Sequence, residues 1–123
     1  IYSTLADRKL IKKTWTPEPG DIIFWDNTFD RNRNGKEDDK LTHIGMVVSV
    51  DRHGNIIYIH HNTEAGIVFE KMNLRYKNYY SRISGNKEII LNSPLKPRPS
   101  GRSRGKWLSG QLLNSFGKGY YLY

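Results

Sequence analysis

The apolar positions of this chain fall into short runs, each closed by turn residues. Ile22 to Trp25 is a continuous apolar run between Pro19-Gly20-Asp21 and Asp26-Asn27, which predicts a short buried strand. Ile44 to Val50, rich in valine, predicts a second strand, and Ile56 to His61 a third. The connection Asp51-Arg52-His53-Gly54-Asn55 is tight enough for a hairpin, with Gly54 as the residue that takes a positive φ. Ile67 to Glu70 and Glu88 to Leu91 predict a fourth and a fifth strand. Upstream, Ile1, Leu5, Leu10 and Ile11 are spaced like the end of a helix, which Pro17, Pro19 and Gly20 terminate. Leu74 to Ile83 has no clear period and is dense in Tyr and Arg. These elements make a small α+β fold whose centre is an antiparallel sheet, or half-barrel, of about five short strands.

The composition shifts after the fifth strand. Residues 96–106 are basic and rich in Pro, Gly and Ser, and read as an extended linker. Residues 107–123 return to aromatics and leucines. There Trp107, Leu108, Leu112, Leu113 and Phe116 are spaced to share one face of a short helix, so this tail reads as a packing segment on the 1–95 core.

A length of 123 residues fits one domain with a modest core. Twenty Lys and Arg against twelve Asp and Glu give a net charge of +8, which favours polyanionic partners: nucleic acid, anionic lipid or acidic cell-wall polymers. The chain has no cysteine, which excludes disulfides, thiolate metal sites and a cysteine nucleophile within it. No run is long and apolar enough to span a membrane, and no signal peptide is visible.

Candidate chemistry gathers on the hairpin. His43 opens the second strand and His60 and His61 close the third, so His43 and one of that pair are neighbours across the ladder. Alternation sends His60 and His61 to opposite faces. Two imidazoles placed this way can orient each other, one as general base and the other fixing its tautomer. A zinc site would need a third ligand, and none stands at a telling spacing.

The loop before His43 carries a second pattern. Asp30, Asn32 and Asn34 alternate, Gly35 follows, Lys36 offers a carbonyl and Asp38 stands at the ninth place. This is the spacing of oxygen ligands in a calcium loop, although the twelfth place is Leu41, so Asp39 or Asp26 would have to replace the usual Glu. With Arg31, Arg33 and Lys36 interleaved, the expectation is weak, structural calcium binding.

Three motifs in order, Pro19-Gly20-Asp21 entering an apolar strand, His43-Ile44-Gly45-Met46, and Tyr58-Ile59-His60, resemble the strand half of an NlpC/P60 or CHAP-type domain. The resemblance covers about residues 19–91. It implies a papain-like cysteine hydrolase of the bacterial cell envelope or a secreted one, cutting amide or peptide bonds in peptidoglycan. Carried over, His43 matches the family's base and His60 the residue that orients it, while His61 falls one place later and is expected to face outward. The family's nucleophile is a Cys at a helix start upstream of the Pro-Gly-Asp turn, and here that position is expected before Ile1. The chain as it stands is therefore expected to be inactive. The alternative is a catalytically inactive module that binds the cell wall or another polyanion and is braced by calcium. A nucleic-acid binder built on the basic linker and the tyrosines ranks below both.

Overall fold

The computed structural model describes residues 1–12, 16–29, 31–99 and 105–119. The elements in order are α1 (Tyr2–Asp7), β1 (Ile11–Lys12), β2 (Ile22–Trp25), β3 (His43–Val50), β4 (Asn55–Asn62), β5 (Gly66–Asn73), β6 (Ser81–Ser84), β7 (Lys87–Ile90), α2 (Ser109–Leu112) and β8 (Leu113–Gly117). The fold is mostly antiparallel β. Six strands form one sheet in the order β1-β8-β2-β3-β4-β5, and β6 and β7 form a separate ribbon. Among the described residues no helix is long and apolar enough to cross a membrane.

β2 is buried along its whole length, because both its faces are covered. Ile22 and Phe24 pack with Leu5 of α1 on one face. Ile23 and Trp25 join Val47, Ile56, Tyr58, Met72, Leu112 and Phe116 on the other. A strand covered on both sides reads as continuous apolar residues rather than as an alternation. Its entry is fixed by the Pro-Gly-Asp turn. Gly20 has φ +91°, the Asp21 side chain accepts from the Glu18 N–H at 2.9 Å, and Lys118 pairs with Asp21 at 3.3 Å.

The structure departs from the sequence reading at three places. Ile11 and Lys12 pair with β8 as a two-residue strand instead of ending a helix. The fifth expected strand, seen as Lys87–Ile90, pairs with Ser81–Ser84 in the ribbon and stays out of the main sheet. The tail keeps only one helical turn before Leu113 becomes extended. Leu113 to Gly117 then runs antiparallel to β2, with a register shift beside Trp25. A short isolated helix is marginal, whereas a strand between β1 and β2 finds backbone partners on both edges and buries Ser115, Phe116 and Gly117.

Asn92, fully buried, ties the ribbon segment to the sheet. Its Oδ1 accepts from the backbone N–H groups of Asn73 and Gly110, and its Nδ2 donates to the carbonyls of Tyr76 and Tyr79. A buried amide with both ends satisfied fixes loop geometry that apolar packing alone would leave open.

Gly45 leaves the space that the Trp25 ring occupies. A Cβ added there would stand 2.9 Å from Cη2 and Cζ3 of Trp25 and 3.0 Å from the Ile59 carbonyl oxygen. Trp25 is fully buried, so its ring has no room to yield. We expect Gly45→Ala to lower stability by about 1–3 kcal/mol, as overpacking does in a filled core, measured as a fall in the urea midpoint. An unchanged midpoint would show that the ring is free to shift.

Candidate acid–base site

Antiparallel pairing builds this site from strand ends. Trp25 at the end of β2 lies opposite His43 at the start of β3, and Gly45 lies opposite His60 near the end of β4. His43 and His60 therefore share the core-facing side and meet diagonally. The His43 Nε2 and His60 Nδ1 atoms stand 2.8 Å apart, with the rings nearly perpendicular at 85°. His61 projects from the other face and is exposed.

Trp25 fixes His43 from one side. The two rings stack at 5.5 Å between centroids and 25° between planes, and the indole N–H donates to the Ser109 carbonyl at 3.0 Å. The same indole occupies the space that Gly45 leaves open. Trp25 and Gly45 are thus positioning residues that the sequence reading did not single out. The signal was available in the register, since a two-residue offset along β3 puts His43 and Gly45 on one face.

The loop before His43 is tied down at its root. Asp26 accepts from the Leu41 N–H at 2.8 Å and from the Asn114 amide at 3.0 Å. Thr28 and Thr42 join through their hydroxyls at 2.6 Å. Lys96, the first residue of the basic linker, reaches the Asn27 carbonyl at 2.8 Å and Glu37 at 3.2 Å. These contacts fix where β3 begins, and so where His43 points.

The expected calcium ligands are placed as follows. Asp30 lies outside the described residues. Asn32 and Asn34 converge on Asp38, donating to its two carboxylate oxygens at 3.1 and 2.6 Å. Their own oxygens accept from the backbone N–H groups of Asn34 and Lys36. Asp39 accepts from the Arg31 N–H at 3.1 Å and so helps close the loop. A cation here would have to displace these internal bonds, and no group of three or more acidic, His or Cys side chains gathers among the described residues.

An open cavity of about 590 Å³ lies in front of the pair, walled by Thr28, Phe29, His43, His60, Thr63 and Leu95. No protein-family model matches the chain, and no curated protein or solved structure matches it. The chemistry is therefore argued from the geometry.

His60 is 8% exposed, and its Nε2 is buried without a hydrogen-bond partner. Burial, then the neighbouring His60 and His61, pull the His43 pKa below its ordinary value. Burial is also the main cause lowering His60, opposed by Glu70 and aided by His61. Burial therefore disfavours the charged form of both rings. Burial likewise raises the Tyr58 hydroxyl, which keeps its proton.

A lowered histidine pKa means that the unfolded chain binds a proton over a range where the folded chain does not. Stability is then fully present above the unfolded value near 6.5, and falls as pH drops from there to the folded pKa. We expect the melting temperature to fall on acidification below about pH 6.5, and this fall to be shallower in His60→Gln. Equal slopes in the two proteins would remove the pair as its cause.

Proposed function

We propose that His43 and His60 are the acid–base half of a hydrolytic site for amide or peptide bonds, of the NlpC/P60 or CHAP type, acting on peptidoglycan. The observation that carries this reading is the 2.8 Å contact between His43 Nε2 and His60 Nδ1 on the wall of an open cavity. It occupies one nitrogen of His43 and leaves Nδ1 as the atom that exchanges a proton. The net charge of +8 suits a substrate embedded in anionic polymer.

For His43 to act as base, its Nε2 carries the hydrogen and donates to His60 Nδ1. His60 then holds its own proton on Nε2, in a buried place without a polar partner. An unpaired buried N–H costs about 1–3 kcal/mol. The Tyr58 ring lies 5.3 Å from the His60 ring between centroids, with the planes 67° apart, and an N–H directed at an aromatic face would offset part of that cost. The tautomer is therefore the sharpest internal test. Ring nitrogen shifts measured by NMR at neutral pH should report His43 protonated at Nε2. Protonation at Nδ1 would make His43 a donor at rest and sink its role as base.

A base and its orienter do not complete amide hydrolysis, which also needs a nucleophile and donors to the oxyanion. The 123 residues contain no thiol. We expect them alone to release no soluble fragments from peptidoglycan. A form that also carries the family's upstream Cys should release them, with kcat lowered about 10²–10⁴-fold by His43→Ala and less by His60→Asn. Turnover by the 123 residues themselves would overturn the cysteine-dependent reading.

The absence of a thiol also favours a second reading, an inactive module that binds an anionic cell-wall polymer and whose Asn32–Asp38 loop takes up calcium weakly. It predicts co-sedimentation with peptidoglycan, a melting temperature raised by millimolar calcium, and no effect of His43→Ala on either.

A further inference from the structure

The geometry points to an oxyanion-binding site at the end of the sheet remote from His43, suited to a phosphate group. The β3–β4 turn lies one eight-residue strand away from the histidine pair, roughly 25 Å. A cavity of about 270 Å³ opens there between the turn, the segment after β5 and the β6–β7 ribbon. His53, Asn55, Asn73, Arg75, Tyr76 and Arg82 line it, so three separate elements bring cationic or hydrogen-bonding side chains to one place.

Arg75 is held before any ligand arrives. Its backbone N–H donates to Asn73 Oδ1 at 2.9 Å, and its guanidinium donates to the Arg52 carbonyl at 3.0 Å. Its stem lies against Gly54, where an added Cβ would stand 3.2 Å from Arg75 Cγ. The Tyr76 N–H also donates to Asn73 Oδ1, at 2.8 Å. Asn73 is itself buried and bonded to Asn55 at 2.6 Å. The wall is thus built on a satisfied polar network, and one guanidinium nitrogen is fixed by the Arg52 carbonyl while Arg75 lines the cavity.

The two arginines lack the usual neutralising partners. Among the described residues the ion pairs involve Lys40, Lys96 and Lys118, and none involves Arg75, Arg82 or His53. Asp51 accepts from the Asn55 amide and from the N–H groups of Asn55 and His53, which hold its carboxyl ionised beside His53, but it does not line the cavity and forms no ion pair with either arginine. Glu88 lies opposite Ile83 in the ribbon while Arg82 lies opposite Ile89, so alternation sends Glu88 to the other face. Two guanidinium groups around one cavity match the oxygens of a phosphate, which accepts paired N–H donors. This site stands independently of the reading of the histidine pair.

The test is an amide NMR titration of the full chain with inorganic phosphate, and in parallel with dimethyl phosphate, at low and constant ionic strength set by chloride. The two probes distinguish a terminal phosphate from a phosphodiester backbone. The expected result is saturable shifts confined to His53, Gly54, Arg75, Tyr76 and Arg82. Arg82→Ala should weaken binding by about tenfold, the value of one charge-assisted hydrogen bond, with the spectrum otherwise native. Arg75→Gln should weaken it at least as much, and Arg98→Ala should leave it unchanged. Shifts that fail to saturate with both probes, that spread over basic residues generally, or that persist unaltered in Arg82→Ala and Arg75→Gln would overturn the site.

Discussion

The seating of the Trp25 indole over Gly45 is the constraint on which the candidate acid–base site depends. The ring is fully buried, bonded through its N–H to Ser109, and packed against Tyr58 at 4.9 Å and His43 at 5.5 Å between centroids. It joins β2, β3, β4 and α2 in one contact set. Removing a buried Trp from such a place costs on the order of 3–5 kcal/mol, a large part of the stability of a domain this size. The stack on His43 adds geometric precision to that stability. An imidazole with a ring on one side and a second imidazole at hydrogen-bond distance on another has little rotational freedom left.

The polar loop supports the same end by other means. Asp26, Asn114, Thr28 and Thr42 close its root, and Asn32, Asn34 and Asp38 close its tip. A loop that satisfies its own polar groups holds its shape without a core. That internal closure is what sets the start of β3. At the other end of the hairpin, Asn73 and Asn92 do the same for the Tyr- and Arg-rich segment. Both ends of the sheet therefore adjoin loops whose shape is fixed by buried or paired amides.

The strand pattern and the placement of two histidines at one end of a hairpin were legible in the sequence, because side-chain alternation and hairpin register are local rules. Ile22 to Trp25 emerged as a strand with the expected bounds, and the hairpin of β3 and β4 around Gly54 followed its turn residues. Leu113 to Gly117 was not legible as a strand. Its residues fit a helical face equally well, and what made it β was the pair of open edges on β1 and β2, which lie about a hundred residues earlier in the chain. Arg75 and Arg82 were visible only as two basic residues in a segment without a period.

By itself the sequence determined the short strands, the hairpin that faces His43 toward one of two adjacent histidines, and the absence of a thiol. The tertiary structure brings His60, the residue the family resemblance pointed to, against His43, and it alone decided that Trp25, seated over Gly45, stacks on His43 and that His53, Arg75 and Arg82 share a cavity. The reason is that alternation and turn chemistry act over a few residues and are written in composition. Which strand lies beside which, and which distant side chain fills the space a glycine leaves, depend on packing the whole chain at once.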